Sequence, residues 1–222
     1  MTGVSIPRNL PAERAASEVD PESDLYGLLF DDDRVGDWIE SFLHIDNEHG
    51  KVVDFKLYPQ QRRMLEEQTG RDITIKGRQT RASSLILARN LRRMTNGSSW
   101  SLKCLVMTHS DHTTDMFRSR IVSHLNDLQA AGFDIPIILN NKDEMVIGKH
   151  LQNRFIFGSG EQRVSGRSYA AQIVHLSEAA HWRPENIDRL MGGIIPAVPG
   201  PPHGWFDIES TPNGADGLFY EY

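Results

Sequence analysis

The sequence predicts an α/β protein organised around a mainly parallel sheet, and two observations predict it. Short apolar, β-favouring runs recur at residues 73–75, 102–108, 154–157, 172–176 and 205–208. Longer stretches with apolar residues at helical spacing lie between the first three runs. Strands alternating with helices form βαβ units, which pair their strands in parallel. Ligands of such sheets sit at the carboxyl ends of the strands. The residues just past each apolar run are therefore where chemistry is sought.

Taken in order, residues 1–24 are rich in Pro, Glu, Asp, Ser and Ala and poor in large apolar residues, the composition of a mobile leader. The acidic triplet Asp31-Asp32-Asp33 reads as a solvated turn rather than a metal site. Trp38, Ile39, Phe42 and Leu43 have helical spacing. The segment HIDNEHGKVVDFKLYP then offers turn residues at Asn47 and Gly50, followed by strand-like alternation. Residues 60–67 read as a helix starting just after Pro59. Leu85, Leu87, Ala88 and Leu91 place another helix after a small polar loop. A helix over 111–130 takes Ser110 as its N-cap and Gly132 as its stop. Residues 137–139 and 145–147 look like a hairpin around Asn141-Lys142. There is no internal repeat.

Composition narrows the class. The chain has 222 residues, 39% of them hydrophobic and 24% charged, which suits a soluble globular protein. No apolar run approaches the ~18 residues a membrane span needs, and the N-terminus lacks the apolar core of a secretory signal. Cys104 is the only cysteine, so no internal disulfide forms and a reducing, intracellular setting fits. Within LKCLVM it reads as a packed thiol, not a nucleophile. A net charge of −6 argues against a surface coated for nucleic acid, while leaving room for a local basic groove.

The most informative stretch is DITIKGRQTRASSLILARNLRRM, residues 72–94. A strand, a phosphate-sized loop and a helix follow one another, which is the layout of a P-loop. Backbone N–H groups and a helix N-terminus make such a loop an anion site. Against the pattern G-x-x-x-x-G-K-[S/T], aligned on the hydroxyl, the chain reads Lys76-Gly77-Arg78-Gln79-Thr80-Arg81-Ala82-Ser83. The hydroxyl is present, the usual Gly-Lys pair is Arg81-Ala82, and a lysine stands first instead. Two readings fit these residues alone: a variant phosphate loop, and an ordinary βα connection into a basic helix.

Other strand ends add to the first reading. The run 172–176 is followed by Ser177-Glu178, an apolar strand closed by a carboxylate, where a Walker B strand usually ends in Asp-Glu. A carboxylate there can orient or deprotonate an attacking water. The run 205–208 leads into Glu209-Ser210-Thr211-Pro212-Asn213-Gly214, a polar turn. Each alone is compatible with a cap or turn, but together they stand in the order a nucleotide hydrolase uses them. The spacing His175-x-x-Glu178-x-x-His181 is not the H-E-x-x-H of a zinc site, and the change from strand to loop would scatter its side chains. His109 and His112 have no matching ligands. Neither a G-x-S-x-G elbow nor a G-x-G-x-x-G after a strand is present.

These residues resemble a family, the large subunit of bacteriophage terminase, which packages DNA into an empty capsid. ESFLHIDNEHGKVVDFKLYPQQRRML is similar to the family's opening segment, which ends in an adenine-reading glutamine, here Gln61. IKGRQTRASS resembles its variant Walker A, in which the lysine often opens the loop. GRSYAAQIVHLSEAAHW resembles its arginine-to-Walker B segment, and ESTPNG its coupling motif. The resemblance runs from about Asp37 to Tyr222.

The resemblance implies an additional-strand, conserved-glutamate P-loop NTPase over residues 25–222, using ATP and Mg2+. It implies an ATPase that moves double-stranded DNA, a homo-oligomeric ring at the portal protein, a small terminase subunit as partner, and action in the host cytoplasm at the procapsid, with no membrane. A nuclease domain normally follows. With the chain ending at Tyr222, no nuclease activity is expected. Lys76, the backbone from Gly77 to Ala82, Ser83 and Ser84 would bind phosphate, with Ser83 also on Mg2+ and Arg78 as the alternative cation. Glu178 would position water, and Ser210, Thr211 and Asn213 would couple the γ-phosphate to movement. Arg167, in the loop Ser165-Gly166-Arg167-Ser168, would be an arginine finger, with Arg163 as its competitor. Arg81 and Ala82 depart from the family pattern. They leave open a non-catalytic nucleotide-binding assembly module. A helicase-like DNA remodeller is the other rival, and it would need a second motor domain.

Overall fold

In the computed structural model, residues 10–11, 23–95, 101–149, 151–160, 170–183, 185, 192–214 and 219 are described. Their elements in chain order begin with β1 (Leu10–Pro11), α1 (Asp24–Phe30), α2 (Val35–Phe42), β2 (His44–Asp46) and β3 (Val52–Asp54). α3 (Pro59–Glu66), β4 (Arg71–Ile75), α4 (Ala82–Thr95), β5 (Lys103–Thr108) and α5 (Asp111–Ala130) follow. The rest are β6 (Phe133–Asp134), β7 (Ile137–Asn140), β8 (Glu144–Ile147), β9 (Asn153–Ser159), β10 (Ile173–Ser177) and β11 (Trp205–Ser210). Most of residues 1–24 lies outside this set.

The central sheet has seven strands in the order β4-β11-β10-β5-β9-β8-β7. The first five run parallel, and β8 and β7 add an antiparallel hairpin at one edge. β5 is apolar at every position after Lys103 except its last, because both faces are covered. Cys104 and Val106 pack with α4 and α5 residues such as Leu87 and Ile121. Leu105 and Met107 pack on the other side with Trp182, Ile194 and Val198. Burial pushes the Cys104 thiol up, so it stays protonated and inert, as its apolar surroundings indicated.

Local signals set the boundaries. The Ser110 hydroxyl accepts from the Thr113 amide (3.3 Å) at the start of α5, and Gly132 beyond its end has φ +104°, a conformation that favours glycine. Asn141 turns the β7–β8 hairpin by accepting from the Asp143 and Glu144 amides, both at 2.9 Å. Asn47 does the same for β2–β3, accepting from His49 and Lys51. α3 begins at Pro59, where a missing N–H costs nothing. The residues of the Asp31 triplet are exposed, as a solvated turn requires.

α4 is not the solvated basic helix that its arginines suggest. Arg92 is buried and donates to the carbonyls of Leu29 (3.2 Å) and Asp31 (2.7 Å) at the end of α1, where a cation suits the helix dipole. Arg89 is buried against Asp207 of β11 and also reaches Gln68. Arg93 lies over the Trp205 ring, 4.5 Å from its centroid. This network ties α4 to β11. Asp207→Ala leaves the Arg89 charge buried without a counter-ion and is expected to cost about 3–5 kcal/mol in urea denaturation. Replacing Arg89 and Asp207 together by apolar residues should cost less. Equal losses in the single and double variants would show that the ion pair is not the source.

Candidate functional site at the carboxyl ends of β4, β10 and β11

β4 ends at Ile75, and the chain turns through residues 76–81 into α4. The turn is anchored at its start, where the Lys76 amide donates to the Ser210 carbonyl (3.0 Å). It is anchored at its end by Gln61, whose Nε2 donates to the Arg81 carbonyl (3.1 Å) while its Oε1 accepts from the Tyr58 amide (2.9 Å). Gln61 is buried, so both ends of its amide are committed to backbone. Gln79 and Arg81 hold positive φ, +62° and +55°. For side chains other than glycine, such backbone costs on the order of 1–3 kcal/mol. Arg81 thus adopts the conformation that the usual glycine would take freely, and its guanidinium lies over the Tyr58 ring (5.7 Å).

Lys76 turns back into the site. Its Nζ is 2.7 Å from Ser83 Oγ, 3.0 Å from Glu178 Oε1 and 2.5 Å from Glu209 Oε2. One ammonium is held by a hydroxyl from α4 and by carboxylates at the ends of β10 and β11. Glu178 has φ +56°, so it begins a left-handed turn and does not continue the strand. Its second oxygen accepts from the Thr211 amide and hydroxyl, both at 3.0 Å, and from Ser210 Oγ at 3.3 Å. Burial pushes the Glu178 carboxyl up, but the Thr211 amide and Lys76 outweigh it and hold it below the usual carboxylate range. Glu209 is fully buried. Desolvation opposes its charge, yet His175 and Lys76 bring it down to about 2. It is ionised whenever the protein is folded at neutral pH.

Lys76, Ser83, Glu178 and Thr211 line a cleft of about 360 Å3 whose walls also include Gly77, Thr80 and Arg120. Arg120, on α5, donates to Ser84 Oγ (2.5 Å). A larger cleft of about 410 Å3 adjoins it across Asp46 and Arg120. That cleft contains histidines, acids and Arg120 but no lysine, whereas the smaller one holds Lys76 beside Ser83 and Glu178.

Of the residues singled out in the sequence, Lys76, Ser83, Glu178, Ser210 and Thr211 therefore come together. Arg78 and Gln79 lie on the exposed lip. Asn213 points away, donating to the Ala180 carbonyl (2.9 Å), where it braces the turn after Glu178. Arg163 and Arg167 lie outside the described residues. His175 and His181 separate as expected, one buried beside Glu209 and the other 3.0 Å from Thr211 Oγ1, but His181 stays 3.7 Å from Glu178 Oε2. Among the described residues, no group of three or more His, Cys, Asp or Glu is arranged to hold a metal.

Two residues escaped the sequence reading, Glu209 and Arg120. Glu209 did leave a signal. Asp207 and Glu209 are acids spaced by two on a strand whose alternate residues, Phe206 and Ile208, are apolar and buried. Acids at the alternate positions of a covered strand must be paired or functional. Arg120 left none, because α5 carries polar residues on several sides.

The strand order defines the class. β11 lies between β4, which feeds the loop, and β10, which ends in the glutamate. This inserted strand is the layout of an additional-strand P-loop NTPase. No family model matches the sequence, and no curated protein sequence matches it. Solved structures do match. The ATPase domain of the large terminase from Thermus phage P74-26 superposes with a TM-score of 0.64 at 18% identity, over 75% of this chain and 69% of that one. The large terminase of HK97 bacteriophage gives 0.64 at 16% identity, over 84% of this chain and 38% of that one. The chain thus has the fold of phage large-terminase ATPase domains and spans only part of the HK97 protein. Among the described residues, no helix is long and apolar enough to cross a membrane.

Proposed function

We propose that this chain is the ATP-hydrolysing motor domain of a phage terminase large subunit, which drives double-stranded DNA into a procapsid. The observation that carries the reading is the meeting of Lys76, Ser83, Glu178 and Thr211 at the carboxyl edge of the sheet. Lys76 would reach the β- and γ-phosphates as a point charge, with the backbone from Gly77 to Ala82 and Ser84 around them and Gln61 bracing the end of the loop. The donors around Lys76 are a hydroxyl and carboxylates, the hard oxygens that magnesium takes. Ser83 would hold it. Bound magnesium supplies charge neutralisation at the phosphate oxygens. Glu178 would orient the attacking water.

The hydrogen bonds from Thr211 to Glu178 support a coupling role for Ser210 and Thr211, because any shift of the catalytic carboxylate moves the end of β11. Asn213 would brace that turn, and Arg167, or its competitor Arg163, would complete a neighbour's site in a ring. Double-stranded DNA, the portal protein and a small terminase subunit are the partners, at the procapsid in the host cytoplasm. Thr211→Val keeps the backbone contact to Glu178 and removes the hydroxyl. It is expected to hydrolyse ATP but to move about tenfold less DNA, or worse, per ATP in a packaging assay. Normal DNA movement per ATP would remove the coupling role. The strain at Arg81 and the absence of a lysine at Ala82 favour a second reading, a non-catalytic nucleotide-binding module. ATP binding without turnover under any assembly condition would select it.

A further inference from the structure

The geometry points to Glu209 as the second carboxylate of the magnesium site, taking the place of the aspartate that a Walker B strand usually carries where this chain has Ser177. The inference rests on the nucleotide-site reading above. A Walker B strand ends in two adjacent acids, whereas β10 ends in Ser177-Glu178. Glu178 is the one carboxylate at that strand end, so β10 has no second one to offer.

The neighbouring strand supplies one. Ser177 pairs with Glu209 across the parallel β10–β11 ladder, and residues in register in a sheet point to the same face. A short side chain at 177 therefore stands beside a long acidic one at 209. Glu209 has 0% exposure. Its Oε1 lies 3.3 Å from His175 Nε2, which leaves Oε2 on the side of Lys76. There it meets Lys76 Nζ at 2.5 Å, and the same ammonium touches Ser83 Oγ and Glu178 Oε1. Three oxygens from α4, β10 and β11 thus enclose one cation.

A second observation points to a further ligand. Glu209 Oε2 has Lys76 as its partner at 2.5 Å, whereas Ser177 Oγ is buried with no hydrogen-bond partner among the described residues. Buried polar atoms of this kind are rare and are normally satisfied. A metal ion with its own water shell would satisfy Ser177 Oγ and would stand in for the lysine beside Glu209. An uncompensated buried carboxylate is also costly, so the cradle needs a cation at all times. Lys76 is that cation in the state described here. With the lysine extended to phosphate, Ser83 and Glu209 would hold magnesium, which would supply the positive charge there.

The test uses the full chain, manganese(II) as the probe and a non-hydrolysable ATP analogue, with free manganese read by electron paramagnetic resonance. Glu209→Gln is expected to weaken manganese binding in the presence of the analogue by about tenfold or more, with no loss of metal-free analogue binding in EDTA. Ser177→Asp added to Glu209→Gln moves a carboxylate back to the usual strand and should restore manganese affinity. It also shows that the loss was not misfolding. Unchanged manganese affinity in Glu209→Gln overturns the proposal. So does an equal loss of metal-free analogue binding, which would make Glu209 only a prop for Lys76, or a double variant that fails to recover. A native chain that binds no analogue at all defeats the nucleotide-site reading itself, an outcome distinct from a failure confined to Glu209.

Discussion

Glu178→Gln is expected to bind ATP and to hydrolyse it about a hundredfold to ten-thousandfold more slowly, the range for losing a positioned general base. The amide is nearly isosteric. Its oxygen can still accept from the Thr211 amide and hydroxyl, so the turn after β10 should survive. What is lost is the negative charge that orients and receives a proton from water, and this acts in the transition state rather than in binding. Lys76 keeps Glu209 as its counter-ion at 2.5 Å, so nucleotide affinity should hold. Binding of a fluorescent ATP analogue together with steady-state turnover checks both halves. Retained turnover would remove Glu178 from the chemistry. The same variant tests the arginine finger. Rings mixed from Glu178→Gln and Arg167→Ala subunits should regain some activity, since some sites would then have both groups. No recovery in verified mixed rings would leave Arg167 with a cis or DNA-binding role.

Lys76→Ala should abolish ATP binding or turnover and should also destabilise the fold. The second effect follows from Glu209, which would remain buried with only His175 beside it. Breaking a buried pair from one side costs about 3–5 kcal/mol. The two effects separate in the double variant Lys76→Ala, Glu209→Gln. That variant should recover most of the stability in urea denaturation and none of the ATP binding. Arg78→Ala, at an exposed position, should change both far less. Normal hydrolysis by Lys76→Ala alongside loss in Arg78→Ala would show that the arginine is the phosphate cation.

The residues that matter to these experiments differ in how far they could be read from the chain. Lys76, Ser83, Glu178 and Thr211 could be found because each follows an apolar run, and in a parallel sheet the end of such a run has a known location. Glu209 was visible only as part of a polar turn. Its importance comes from Ser177 and His175 on β10 and from Lys76 after β4, which lie 32 and more residues away in sequence. Gln61 was read as an adenine contact. The structure adds a bracing role, since its amide holds the Arg81 carbonyl.

Elements whose signals are local were legible. Ser110 and Gly132 delimit α5, and Asn47 and Asn141 turn their hairpins, because a cap or turn needs only the residues beside it. The α/β class was legible for the same reason, as periodicity is a property of each segment alone. Strand order was not legible. No nearby residue records that β11 inserts between β4 and β10, since that depends on which faces can be buried together. The arginines of α4 make the same point. In sequence they look like a solvated basic face. Arg89 and Arg92 turn inward because Asp207, Leu29 and Asp31 supply the partners that make a buried cation tolerable. Propensity and pattern act within a few residues, whereas burial of charge is decided by whatever distant groups the fold brings into reach.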